Sequence, residues 1–201
     1  MKTRLLYTLL VFIAGLLGLT IFSNDKGFST LTQQEWRILQ IREQQQGSYI
    51  ISDKPEEVLL LHSRSREIDF DSPNIDILIR QMQKAVIAYR GLGLAAVQIG
   101  IPVRVILMKQ DMGGDNSFEV FINPELIHKS SITQISREAC LSLPNDEDRF
   151  IERSLRLIVR YQTINGRTDI KSFTGLDAAV FQQEIDHLNG VLIRDHPLSH
   201  D

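Results

Sequence analysis

The sequence predicts an α+β domain in which short strands precede a C-terminal helix, with a separate apolar helix at the N-terminus. Three observations carry this reading. Ile75, Leu78, Ile79, Met82, Val86 and Tyr89 follow helical spacing. Residues 103–108, 118–122, 132–136 and 155–161 read as short strands, the last with Leu155, Leu157, Val159 and Tyr161 alternating with polar neighbours. Asn165-Gly166 between two such runs is a hairpin signal. The chain has 201 residues, 43% hydrophobic and 23% charged, which suits one domain of roughly 150 residues plus an appendage and excludes disordered or collagen-like classes.

Taken in order, residues 5–22 carry no charge, and 18 helical residues at about 1.5 Å each span roughly 27 Å, near a bilayer's hydrocarbon thickness. Residues 1–23 are therefore expected to be a signal peptide or a signal anchor. Ile21 and Phe22 make a poor small-residue cleavage site, which favours the anchor. Lys2 and Arg4 ahead of the apolar run favour a cytoplasmic N-terminus and a domain on the non-cytoplasmic side, the periplasm in a bacterium. Residues 24–50 read as a stalk or linker with a short helix, opened by a Thr32-Gln33-Gln34-Glu35 capping box, stapled by Leu31 and Trp36 and ended near Gly47. Its run of glutamines suggests a solvated connector. The domain proper is expected over 51–201. Its first helix should take Ser72 as N-cap and Pro73 as first residue and close at Gly91. Its last should run over 176–188 and stop at Asn189-Gly190.

Charge and cysteine content narrow the function classes. The formal charge is −3, and without residues 1–23 it becomes −5, which argues against nucleic acid as a partner. Cys140 is the single cysteine, so no internal disulfide supports the fold and the thiol is free for chemistry.

Three segments carry candidate chemistry. Gly91-Leu92-Gly93-Leu94-Ala95-Ala96-Val97-Gln98 superficially matches a dinucleotide fingerprint, but it follows a helix where that motif follows a strand, and reads as a tight loop. Cys140 in Glu138-Ala139-Cys140-Leu141-Ser142 reads, alone, as a small buried apolar residue. Gln183-Glu184-Ile185-Asp186-His187 is a metalloprotease-like HExxH with glutamine at the first histidine.

In this order the three resemble the peptide deformylase family, whose signatures read GxGLAAxQ, EGCLS and HExxH. Phe121-Ile122-Asn123-Pro124-Glu125, the 161–166 hairpin and residues 181–192 extend the resemblance over about 51–198. It implies a peptide deformylase-like fold, short antiparallel sheets around a C-terminal metal-site helix. It also implies metal-dependent hydrolysis of the formyl group from N-formylmethionyl peptides. The ion, divalent iron or zinc (Fe2+ or Zn2+), would be held at Cys140, Gln183 and His187, with an open position for catalysis. Residues four apart share a helical face, so 183 and 187 can address one ion. Glu184 matches the general acid/base. Gln98 and the Leu141 backbone N–H match the groups that stabilise the oxyanion. Gly91, Leu92, Gly93 and Leu94 match the edge to which substrate adds as a strand.

Gln183 is the departure with consequences. A neutral amide oxygen is a weaker donor to iron or zinc than imidazole, so the sequence predicts lowered metal occupancy and weak or lost activity. His62, His128, His196 and His200 are the histidines left to fill the position, His196 following the helix most closely. Alanine at 139, where the family has glycine, would disturb the Cys140 turn if that position needed positive φ. Two readings stay open: a metal-dependent hydrolase weakened at Gln183, and a catalytically inactive exported peptide-binding module.

Overall fold

The computed structural model describes residues 29–197, apart from 46–47, 53 and 111–116. The apolar run 5–22 and His200 lie outside the described residues. Among the described residues no helix is long and apolar enough to cross a membrane.

The elements in chain order are α1 (Gln33–Gln45), α2 (Pro55–Leu61), α3 (Ile75–Ala88), β1 (Gly93–Ala95), a 3₁₀ turn (Ala96–Ile99), β2 (Val105–Lys109), β3 (Phe118–Lys129), β4 (Thr133–Glu138), β5 (Arg149–Ser154), β6 (Arg156–Gln162), β7 (Thr168–Thr174), α4 (Gly175–Leu188) and a 3₁₀ turn (Ile193–Asp195). Five strands form an antiparallel sheet in the order β1-β2-β3-β6-β7, and β4 pairs with β5 in a second sheet. This is the α+β architecture the sequence predicts.

The main sheet is the middle of three layers. Val105 and Leu107 of β2 pack with Leu78, Met82 and Val86 of α3, while Ile106 and Met108 pack with Phe181, Ile185 and Leu188 of α4. With a helix on each face, β2 reads as a continuous apolar run without alternation. β6 covers one core only, which is why Leu157, Val159 and Tyr161 alternate as expected.

Several boundaries differ from the sequence expectations, each for a local reason. The Ser72 hydroxyl accepts the Leu31 N–H and leaves α3 uncapped, so the helix starts at Ile75 behind a left-handed Asn74. At its other end the left-handed residue is Arg90, φ +57°, with Arg90 N–H donating to Ile87 O and Gly91 N–H to Val86 O in a Schellman arrangement. Gly91 is needed for space instead: a Cβ there would lie 2.9 Å from Val86 and 3.0 Å from Leu141. The expected tight loop at 91–98 is β1 and a 3₁₀ turn. β3 does not stop at Ile122, because Asn123 and Pro124 form a bulge within it; the Asn123 amide receives the Ile68 N–H, at 2.9 Å, and donates to the Ile68 carbonyl, at 2.7 Å.

The segment read as a solvated connector carries α1, which lies against the body. The capping box is present: Thr32 N–H donates to Glu35 and Glu35 N–H to the Thr32 hydroxyl. Leu39 is fully buried in the α3 cluster, and Arg66 grips both Glu35 oxygens at 2.6 Å. The few apolar residues among glutamines and arginines suffice to dock it.

Candidate active site

The C-terminal helix α4 positions most of the expected chemistry, and its setting is fixed by aromatic packing. The Phe181 ring meets Phe121 edge-on at 5.1 Å and stacks on Phe173 at 4.7 Å. Gln182 accepts the Ser154 N–H and donates to the Ser154 and Ala178 carbonyls, tying α4 to β5. The helix stops as expected at Asn189-Gly190, where Gly190 at φ +76° donates its N–H to His187 O and Val191 donates to Asp186 O. These ties turn Gln183, Glu184 and His187 toward a pocket of about 250 Å³, lined also by Arg90, Gly91, Leu92, Gly93, Gln98 and residues 136–139.

Cys140 and His187, 47 residues apart, converge with Sγ 3.3 Å from Nε2, both almost fully buried. Glu184 is 4% exposed, and among the described residues one of its oxygens has no partner, as is true of His187 Nδ1. Burial drives the electrostatics. It pushes the Glu184 carboxyl up to about 8, with the Ala95 backbone N–H pulling the other way and Glu138 and Asp186 adding to the rise. It pushes the Cys140 thiol up to about 12, against backbone N–H groups of Ser142 and Leu143 and aided by the Glu184 charge. It holds His187 down at about 4, with Asp186 opposing and Arg153 assisting.

Gly93 packs directly on Glu184. A Cβ at 93 would lie 2.7 Å from one carboxylate oxygen and 2.9 Å from Cγ, so only glycine lets strand β1 pass this close. Gln98 is 2% exposed, its oxygen receiving the Ala95 N–H at 2.9 Å while its amide nitrogen faces the Ser142 hydroxyl at 3.4 Å. Leu141 lines the pocket beside Cys140. Leu94 is fully buried in the α3 cluster, so Gly91, Leu92 and Gly93 are the part of that edge on the pocket wall.

Gln183 shares the pocket with Glu184 and His187, and its amide nitrogen donates to the Ala139 carbonyl at 3.0 Å. Of the histidines proposed to fill its position, the three among the described residues are elsewhere. His196 bonds Asp186 at 2.8 Å on the other side of α4, His62 lies beside the Gly190 carbonyl at 3.1 Å, and His128 faces a separate hollow near Leu157. Ala139 is exposed and is not among the described non-glycine residues with positive φ, so its methyl leaves the Cys140 turn intact. A larger groove of about 890 Å³ lies beyond α4, against Gln182, Ile185 and Asp186, but holds none of Cys140, Gln183, Glu184 and His187. Chemistry, not size, marks the site.

One residue the sequence reading missed binds this arrangement together. Arg153, 4% exposed, makes two 2.8 Å bonds to Glu138 and one of 2.6 Å to Asp186. It thereby joins the strand leading to Cys140 to the helix bearing His187. The signal was that Glu138 and Asp186 both flank expected ligands and, once buried, need a cation.

The sequence model of one family, described as polypeptide deformylase, matches residues 49–200. The chain belongs to the peptide deformylase family. A peptide deformylase of Bradyrhizobium sp. (strain ORS 278) is 39% identical over 150 residues, 70% of this chain and 85% of its own length. The crystal structure of peptide deformylase from Thermotoga maritima superposes with a TM-score of 0.67 at 37% identity, covering 76% of this chain and 98% of that one. The Met-Ala-Ser-bound class I type b peptide deformylase from Acinetobacter baumannii gives 0.65 at 28% identity, covering 75% and 100%.

Peptide deformylases are metal-dependent, and two buried donors of this chain converge in the pocket region. The Cys140–His187 separation suits two donors sharing a tetrahedral centre, for which bonds of about 2.3 Å to sulfur and 2.1 Å to nitrogen apply. Among the described residues no group of three His, Cys, Asp or Glu could hold a metal. Cys140 and His187 fit a thiophilic divalent ion at two positions, while Gln183 brings to the same pocket only a neutral amide, its nitrogen bonded to the Ala139 carbonyl.

Proposed function

We propose that the domain hydrolyses the formyl amide of N-formylmethionyl peptides, with turnover lowered by glutamine at 183. The observation that carries this reading is Glu184, a carboxyl sealed against Gly93 on the pocket wall, with one oxygen unpartnered among the described residues and its pKa raised to about 8. A carboxyl poised near neutrality can both accept and return a proton. Cys140, His187 and the Gln183 amide oxygen would hold the divalent iron or zinc, which when bound polarises the reacting oxygen.

The remaining work falls to the chain's own groups. Gly91, Leu92 and Gly93 offer backbone to an extended peptide, leading the formylated methionine to Glu184. Glu184 accepts a proton from water as its oxygen adds to the formyl carbon. The Gln98 amide and the Leu141 N–H steady the negative oxygen of the tetrahedral adduct. Glu184 then gives the proton to the departing nitrogen as the C–N bond breaks, yielding formate and the free amine.

The test compares the full-length protein with Gln183→His for bound iron, zinc, nickel and cobalt and for formate release. We expect little metal and slow release in the parent, and at least tenfold more of both in the variant, as loss of even an outer partner costs 10- to 100-fold. Peptide binding without metal or formate in either protein would support the inactive peptide-binding reading instead. The apolar run at 5–22 supports a membrane-anchored or exported protein; recovery of the full-length chain in the soluble cytosolic fraction would refute that.

A further inference from the structure

The mouth of the pocket carries charge that formyl hydrolysis does not use. Arg90 sits on its rim, exposed, three residues before Gly93. Among the described residues no hydrogen bond or ion pair engages its guanidinium. Its backbone is left-handed at φ +57°, where glycine, asparagine or aspartate is favoured, so local folding gives no reason for arginine there. Arg137 on β4 also lines the pocket, is exposed and pairs with Asp148 at 2.8 Å. The pocket's own carboxyls are committed: Glu138 is bound by Arg153, and Glu184 lies deep against Gly93. The uncompensated charge at the rim is therefore positive.

Distance says which part of a peptide would feel it. Three residues of chain separate Arg90 from Gly93, a reach of roughly 10 Å at most. An extended peptide covers about 7–10 Å in two to three residues. We propose that Arg90 makes this site selective for peptides with a carboxylate two or three residues beyond the formylated methionine. That carboxylate is an aspartate or glutamate side chain or the C-terminus of a short peptide. The proposal rests on the reading of the site as a peptide groove.

The experiment uses the full-length protein and Arg90→Gln on formyl-Met-Ala-Ser as free acid and as amide, and on formyl-Met-Ala-Asp-amide, -Asn-amide and -Lys-amide. The acid/amide pair reports the terminal carboxylate and the Asp/Asn pair the side chain. In the parent at low salt, the anionic member of at least one pair should be favoured about three- to fivefold, residing in KM, the scale of an exposed ion pair. The preference should shrink below twofold in Arg90→Gln and at high salt, where screening shortens to a few ångströms. Ratios within twofold throughout the parent series, or a preference surviving in Arg90→Gln, would overturn the proposal. If no peptide releases formate, the proposed activity fails; the ratios are then measured as dissociation constants, and decide the arginine's role separately.

Discussion

Replacing Glu184 by glutamine probes the site through stability as well as turnover. The carboxyl is buried chiefly at the cost of its charged form, and its pKa moves from 4.5 to about 8. The folded chain therefore keeps a proton that the unfolded chain has released, and stability falls as pH climbs between these values. Above 8 the full cost is in place. One pKa unit corresponds to about 1.4 kcal/mol, so the ceiling is about 5 kcal/mol, and structural relaxation with water entry reduces it to a few. Glutamine has nearly the same shape and no charge to bury. His187 works in the opposite sense, since its lowered pKa makes both proteins lose stability as pH drops from 6.5 toward 4, and this cancels in the comparison. Thermal melts of both proteins with chelator, from pH 4 to 9, should nearly coincide at the acid end. They should diverge to about 10 °C in favour of the variant at pH 9, at about 2–4 °C per kcal/mol for a domain of this size. The variant should release no formate at any pH. Parallel melting curves with a constant offset would refute the reasoning, because the burial of this carboxyl would then carry no charge penalty.

Two other substitutions separate the site from its support. Phe181→Ala removes the ring that touches Phe121 and Phe173 and should cost roughly 3–5 kcal/mol in denaturant melts; a loss under about 1 kcal/mol would mean that α4 is held by other contacts. Gly93→Ala puts a methyl 2.7 Å from the Glu184 carboxylate and should reduce formate release by at least tenfold, with a melting point lowered by only a few degrees; unchanged kinetics would detach Gly93 from the working position of Glu184.

What the sequence made legible depended on whether one local rule decided the outcome. The α4 helix, its glycine stop and the pairing of 183 with 187 follow from helical spacing, and Cys140 was brought to His187 as the motifs implied. The start of α3 was misplaced because Ser72 turned its hydroxyl to Leu31, a contact 41 residues distant. β5 was missed because its inward residues are Ile151 and Arg153, and a buried arginine hides the alternation. The docking of α1 was hidden in the same way, since one leucine and one ion pair accomplish what composition assigns to solvent. Arg90 escaped attention because sequence alone does not reveal that a helix's left-handed exit stands on the rim of a groove.

The clamp formed by Arg153 has a kinetic implication. Thiol and imidazole belong to remote stretches of chain, and only when β5 has docked on the helix does this guanidinium draw Glu138 and Asp186 into register. An ion held here would therefore rest on contacts of high sequence separation, whose loop closure has to precede the site. Metal uptake by the protein would report that these two remote stretches have met.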